Sequence, residues 1–395
     1  MTEEPELGEI EWLDGDPPER PDAGRSGGVW RWYALGFAAL AVVVLVVAVE
    51  RRPSHRAAAR ATTASTPTSV PAAHPATTPF VTRPAPSPRA ITVTNLGRPL
   101  LSVPRSWELY ARDPDAVLRI QLATGRVVRT EMPAVLSNGP MAFLAGPRQV
   151  IVKAWQGGGV VIRDGRPARE LYGVLAGFGP ILPGPEPGQL WVSPPSGAND
   201  PQRMDLVGFD GRRSELISIP VSGVPTSDGA GYLLSYLTGG IYDARPGSLH
   251  RVTTGALLAI GPTRWLTEEC DERHHCTMDV VDRSTDVHRV LGPGSDSDAP
   301  AGNIAPDGST AAVLHGSEPL TLSMLDLATG IEHHTGVEID RDDAYAGASM
   351  AWTPDGRWLI VADAQGHLVV VDHGGHSRVL TTRITRISQL TLRAG

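Results

Sequence analysis

From about residue 100 to the C-terminus, short apolar runs alternate with polar turns at regular intervals, as in Trp358-Leu359-Ile360-Val361 and His367-Leu368-Val369-Val370-Val371. The runs are rich in β-branched and aliphatic residues and the gaps in Gly, Asp and Pro, a pattern that predicts strands joined by tight turns. In Leu122-Ala123-Thr124-Gly125, Leu327-Ala328-Thr329-Gly330 and Arg283-Ser284-Thr285-Asp286, a polar side chain and a residue tolerant of positive φ reverse the chain. Ala305-Pro306-Asp307-Gly308 and Thr353-Pro354-Asp355-Gly356, 48 residues apart, do the same one hairpin earlier.

Two anchors mark the repeat. A bulky or apolar residue opens the second strand of each unit at Trp107, Val150, Leu190, Tyr232, Trp265, Ala311 and Trp358, in steps of 33 to 47 residues. A polar residue stands at or near the end of the third strand at Gln121, Asp164, Asp210, Asp243, Asp282, Asp326 and Asp372. The two series interleave seven times. Such a period predicts an all-β, seven-bladed β-propeller of four-stranded antiparallel blades over residues 91–395. The fourth unit, with its 33-residue step, has little room for loops. Ile387 to Leu392 is a spare strand, expected to complete the first blade beside Ile91 to Thr94 and so remove an open edge.

The first 90 residues follow no such pattern. Trp32 to Val49 is a charge-free run bounded by Arg31 and by Glu50, Arg51 and Arg52, with Trp30, Trp32 and Tyr33 at one end. Its length matches a bilayer core of about 30 Å, so residues 30–50 are expected to form one transmembrane helix. A cleaved signal peptide and a buried helix are the alternatives. No amphipathic face survives in the run, and the polar leader is long for a signal sequence. Residues 1–29 form an acidic tail; residues 51–90, dominated by Pro, Ala and Thr, make a disordered linker. Positive charge does not settle orientation, because Arg20, Arg25 and Arg31 before the run face Arg51, Arg52, Arg56 and Arg60 after it.

The two cysteines bear on orientation. Cys270 and Cys276 flank a polar five-residue turn between two strand-like runs, where cross-strand neighbours come within disulfide range. Two free thiols, or a metal site with His274, His275 and nearby carboxylates, are the other readings, although no second Cys or His pair stands at finger-like spacing. A disulfide requires an oxidising compartment, which puts the tail in the cytoplasm and the large domain outside.

Pro-Asp-Gly before an apolar strand, followed by a strand ending Leu325-Asp326-Leu327-Ala328-Thr329-Gly330, resembles the blades of TolB-like and, more loosely, WD40-like propellers. The resemblance covers residues 91–395 and is closest in the last two units. The Gly-His and Trp-Asp dipeptides of true WD40 repeats are not systematic. The whole layout of tail, helix, spacer and propeller resembles single-pass membrane proteins of actinobacteria.

Composition narrows function mainly by exclusion. With 35 basic and 43 acidic residues the net charge is -8, no basic stripe appears, and the only lysine is Lys153, so a nucleic-acid partner is not expected. The abundance of Arg, Ala, Gly and Pro fits a GC-rich bacterial genome. Gly347-Ala348-Ser349-Met350-Ala351 lacks the second glycine of a hydrolase elbow, and no phosphate loop or dinucleotide fingerprint occurs. The aspartate-box turns of sialidases are absent. The turn at Asp326 is similar to those of quinone-dependent dehydrogenases, without their recurring tryptophan. Asp296-Ser297-Asp298 faintly copies a calcium loop, but Pro300 stands where a third oxygen ligand belongs. His333-His334 and Asp372-His373-Gly374-Gly375-His376 read as solvated turns before metal sites, and Trp107, Trp191, Trp265 and Trp358 as packing between blades.

No catalytic, cofactor-binding or metal-ligating residue emerges; the one site expected is the Cys270 to Cys276 disulfide. The reading that follows is a non-catalytic binding, scaffold or sensing module of the cell envelope, anchored in the cytoplasmic membrane by its N-terminal helix, with an envelope protein or glycan as partner. An envelope hydrolase or lyase with its residues dispersed over several blades around the channel is the alternative, and the sensor half of a signalling protein a third. Functional departures from the repeat are expected at the Cys270 hairpin and the loop 193–203.

Overall fold

The computed structural model describes residues 91–394, apart from the short segments 133–139, 155–157, 164–165, 178, 194–202, 222–223, 295–298 and 346–347. The tail, the expected transmembrane run and the linker lie outside the described residues, as do Asp164, the Asp296 to Asp298 segment and most of the loop 193–203. Among the described residues no helix is long and apolar enough to cross a membrane.

The chain lays down antiparallel meanders in sequence order. The first comprises β1 (Ile91–Asn95), β2 (Glu108–Asp113), β3 (Ala116–Gln121) and β4 (Arg126–Glu131). The second is β5 (Pro140–Ala145), β6 (Gln149–Ala154), β7 (Gly159–Arg163) and β8 (Arg169–Glu170). The third is β9 (Ile181–Pro183), β10 (Gln189–Val192), β11 (Arg203–Gly208) and β12 (Arg213–Pro220), and the fourth β13 (Thr226–Ser227), β14 (Leu233–Leu237), β15 (Gly240–Arg245) and β16 (Ser248–Thr253). One eight-stranded sheet then joins two meanders. Its first half is β17 (Ala256–Ile260), β18 (Arg264–Cys270), β19 (Cys276–Asp282) and β20 (Val287–Pro293); its second half is β21 (Gly302–Ile304), β22 (Thr310–His315), β23 (Leu320–Asp326) and β24 (Glu332–Ile339). The last meander is β25 (Met350–Trp352), β26 (Leu359–Ala362), β27 (Leu368–Val371) and β28 (Ser377–Thr381), after which β29 (Gln389–Arg393) returns to the first sheet.

This is an all-β, propeller-like fold with four-stranded antiparallel blades. The expectation of seven separate sheets is corrected: there are six, five of four or five strands and one of eight. The cause is a short parallel contact between inner strands, Ala259 opposite Gly302 and Ile260 opposite Asn303, which carries hydrogen bonding from one meander into the next. All seven first anchors fall where expected, within the first two residues of the second strand or just before it. The turn aspartates also hold their place, with Asp282, Asp326 and Asp372 each accepting backbone N–H groups of the following turn. Asp243 departs from the pattern, lying inside β15 and buried.

Burial explains the hydrophobic pattern. Strands in the middle of a meander pack against a neighbouring sheet on both faces, so β27 reads Leu-Val-Val-Val without alternation and is buried throughout. Outer strands face water, and residues 287–290 of β20 are all exposed. Each apolar cluster is shared by consecutive meanders: Ile151, Leu190 and Val207 join the second and third, and Trp191, Leu206 and Leu233 the third and fourth. Burying each such side chain contributes roughly 1.5–3 kcal/mol. Glycine is needed where the meanders abut: Gly231, at φ +93°, would place a Cβ 2.4 Å from Pro185 Cα.

The two ends meet in the first sheet, in the order β1, β4, β3, β2, β29. β29 completes that sheet as expected, but it pairs with β2 on the inner edge while β1 pairs with β4 on the outer edge. The expected adjacency of the two terminal strands is thus corrected, because three strands separate them. An ion-pair cluster holds the junction. Glu108 at the start of β2 accepts from Arg119 Nε at 2.9 Å and pairs with Arg393 of β29. Burial alone would raise the Glu108 carboxyl, yet the bonds from Arg119 and Arg393 outweigh it and hold the group below its ordinary value of 4.5.

Glu108→Gln therefore removes the buried negative charge that two half-buried arginines share and is expected to destabilise by about 3 kcal/mol at neutral pH. Because folding lowers the pKa, this contribution is complete above pH 4.5 and fades as pH falls through the lower folded value. Denaturant melts of both proteins from pH 7 downward check this: a gap that stays constant at acid pH refutes it.

Candidate functional site

Cys270 and Cys276 stand directly opposite each other in the β18–β19 pair and are joined by a disulfide. Asp271 shapes the intervening turn, its Oδ1 accepting the N–H groups of Arg273 at 2.8 Å and His275 at 2.9 Å. The free-thiol and metal readings are corrected by this bond. The carboxylate of Glu268 and the two sulfurs lie within 4.8 Å of one another, the one such ligand group among the described residues, but bonded sulfurs have no thiolate to offer a metal.

The other residues singled out in the sequence are dispersed. His334 stands opposite Ser323, Nδ1 to Oγ 3.0 Å, a cross-strand pair whose serine is buried beyond reach of a substrate. His376 Nδ1 lies 3.2 Å from both oxygens of Asp372 within one exposed turn. Trp191 and Trp265 are buried and donate Nε1–H to carbonyls of the neighbouring sheet, to Gly231 at 2.7 Å and Asp228 at 3.0 Å. Trp358 packs partly buried against the cluster shared by the first and last sheets, whereas Trp107 is only half-buried. Ser349 is buried beside the inner strand β25.

Polar side chains gather at a place the sequence reading did not single out, the seam between the fourth sheet and the first half of the double sheet. A groove of about 640 Å³ there is lined by His250 and Arg251 of β16, Glu269 of β18, and Asp286 and His288 at the entry to β20. Asp286 adopts φ +57° in the turn after β19, and its Oδ1 lies 3.0 Å from His250 Nε2 and 3.9 Å from His288 Nε2. Glu269 is kept ionised: the N–H of Thr254 and the hydroxyl of Thr253 lower its pKa against a smaller opposing effect of burial. A recess of about 280 Å³ shares His250 and Asp286 and reaches Asp243, Arg245, Trp265 and Arg283.

The floor of that recess is fixed by Arg283. It pairs with the fully buried Asp228, donates to the Asp228 carbonyl at 2.7 Å, and lies 4.5 Å above the Trp265 ring. Asp243 sits beside this pair, its carboxyl pushed up by burial and by the charge of Asp228 despite an ion pair with Arg245 at 2.8 Å. The fourth unit thus spends its third-strand aspartate on the seam rather than on a turn. Two imidazoles around one carboxylate, beside ionised Glu269, suit an open site that hydrogen-bonds a polar ligand.

Lys153 is the other unusual group. Its side chain is fully buried at the end of β6, with Nζ donating to the carbonyls of Gly179 at 2.7 Å and Ala154 at 3.3 Å. Burial lowers its pKa to about 8.

No protein-family model matches the chain, and no curated protein matches it in sequence. Among solved structures it is similar to TolB from Acinetobacter baumannii, at 15% identity and TM-score 0.40, over 73% of this chain and 82% of that one. It is also similar to an oligogalacturonate lyase from Vibrio parahaemolyticus (9% identity, TM-score 0.43, 73% and 96% covered). A third similarity is to a puromycin-hydrolyzing peptidase from Mycobacterium tuberculosis (16% identity, TM-score 0.46, 76% and 54% covered), of which this chain spans about half. The TolB-like resemblance of the Pro-Asp-Gly units is thus met among solved propellers. At these identities the likeness concerns fold alone.

Cys270→Ser with Cys276→Ser opens a short loop and is expected to cost about 2 kcal/mol. Thermal melts with and without reductant check this, since reduced wild type should match the double variant. For Lys153, folding lowers the pKa, so the unfolded chain binds more protons between about pH 8 and 10.5 and wild-type stability gains over that window. Lys153→Met should lack the gain; equal pH slopes in the two proteins would refute it.

Proposed function

We propose that this chain is a single-pass protein of the cytoplasmic membrane, N-terminus inside and propeller outside. Its propeller acts as a non-catalytic binding, scaffold or sensing module for an envelope protein or glycan. We count the eight-stranded sheet as two blades, making seven. Seven apolar clusters support that count, each shared by consecutive meanders, with the last joining β26 and β27 to β2 and β3.

The composition of the inner strands carries the functional reading. β5, β9, β13, β17, β21, β25 and β29 are the inner strands of the meanders, and across all seven the one charged side chain is Arg393, already paired with Glu108. A hydrolase or lyase working at the channel needs acids, bases or nucleophiles converging there. The polar groups converge instead on the outer seam at His250, Asp286 and His288. Among the described residues no hydroxyl or thiol is hydrogen-bonded to either of those histidines, so neither is poised to activate a nucleophile. The disulfide supports an oxidising compartment.

Arrays of cell-wall glycan fragments and envelope peptides probed with the full chain are expected to give binding that weakens at least tenfold in His250→Ala with Asp286→Asn, asparagine being tolerated at the positive φ of that turn. The melting temperature should not change. Turnover of an array member by wild type, lost in that double variant, would replace the binding reading with a hydrolase or lyase. An impermeant thiol reagent applied to intact cells after mild reduction should label both cysteines; protection until lysis would reverse the topology.

A further inference from the structure

The seam groove brings two imidazoles to one carboxylate oxygen. Asp286 Oδ1 lies 3.0 Å from His250 Nε2 and 3.9 Å from His288 Nε2, and all three side chains are about half exposed. They come from two sheets: His250 from β16, the outer strand of the fourth sheet, and Asp286 and His288 from the turn before β20 and from β20 itself, an outer strand of the double sheet. His250 stands opposite Asp243 and His288 opposite Val281, so both rings are carried by paired strands and line the same groove.

A surface ion pair accounts for His250 and Asp286 but not for Asp243 beside them. The Asp243 side chain is 5% exposed; Arg245 satisfies its Oδ2 at 2.8 Å, whereas Oδ1 is buried with no hydrogen-bond partner among the described residues. A buried carboxylate oxygen left unpaired is costly and calls for a partner. An imidazole that ligates a metal through one nitrogen spends its other N–H on such a carboxylate, which fixes the ring and raises its basicity. His250 engaged through Nε2 has Nδ1–H to donate, and Asp243 has the oxygen to accept it. Residues directly opposed across an antiparallel pair have Cβ atoms about 5 Å apart, within reach of that bond.

We propose that His250, His288 and Asp286 bind a divalent cation of the zinc class, with Asp243 orienting His250 and an open coordination position facing the groove. Two metal bonds of about 2.0 Å meeting near the tetrahedral angle hold their ligand atoms about 3.3 Å apart, and the two distances to Asp286 lie on either side of that value. His288 turns inward to complete the set, which its half exposure permits. Imidazoles with a carboxylate favour zinc over calcium or magnesium, which take oxygen ligands. The local charge suits a cation as well: Glu269 is ionised in the same groove, while Asp228 neutralises Arg283 and Asp243 neutralises Arg245. Arg251, the guanidinium that lines the groove itself, is exposed, where water and salt screen it. The metal is an addition to the groove of the binding reading and does not depend on that reading.

Calorimetric titration of the full chain in nonionic detergent with zinc chloride tests this. Saturable binding is expected, at least tenfold weaker in His288→Gln and in Asp286→Asn, and retained in His376→Gln, which alters another exposed histidine paired with an aspartate. His55 and His74, outside the described residues, are present in every variant, so the differences report the seam. Without zinc the seam variants should melt with wild type, because both positions are half exposed; zinc should then raise the melting temperature of wild type alone. Cobalt(II) loaded in place of zinc should show the visible absorption of a four-coordinate ion and lose it in the same two variants. No saturable zinc binding, binding unchanged in both seam variants, or equal weakening in His376→Gln overturns the site. Calcium binding as tightly as zinc overturns the choice of metal. The titration uses zinc alone, so its failure leaves the binding reading standing, and array binding in the presence of a chelator tests that reading by itself.

Discussion

The pairing of β29 with β2 is the contact on which the rest of this fold depends. A row of meanders leaves unpaired backbone groups on an inner edge and apolar faces at both ends of the row. Bringing the last strand into the first sheet covers both at once: β29 takes the inner edge of the first sheet, and the cluster containing Leu109, Ile120, Ile360 and Leu390 closes the apolar seam. Glu108 sits at this junction and holds an arginine from each partner strand, Arg119 of β3 and Arg393 of β29, so closure is specified by charge as well as by shape.

The same economy recurs at other seams with different residues. Between the fourth sheet and its neighbour, Arg283 and Trp265 fasten onto Asp228, and Asp243 is drawn into the same cluster. Buried charges of this kind are retained only where each finds its partner, since an orphaned one costs several kcal/mol. Seams therefore concentrate ionisable groups. The polar clusters described at the fourth sheet are a local departure from a repeated solution to packing, outside the near-neutral inner strands.

Much of the fold was legible in the sequence because a blade is built from short-range rules. Turn residues, strand lengths and bulky openings act within a hairpin, so Trp107 to Trp358 and Asp282, Asp326 and Asp372 mark their units without reference to the rest of the chain. The disulfide was legible for the same reason, since its cysteines close a single hairpin. The sites were not. His250 and Asp286 are separated by 36 residues, so no local pattern records that they meet. The one available signal was indirect: the 33-residue step to Trp265 marked the fourth unit as irregular.

By itself the sequence determined the class of fold, the unit and its repetition, the placement of the turns and the cysteine pair, because each follows from neighbours within a hairpin. Only the tertiary structure decided which edge β29 occupies, that two meanders merge through Ala259 and Gly302, and which polar groups face one another across a seam. These depend on distances between residues far apart in the chain, which are set when the ring closes and when each apolar face selects its neighbour.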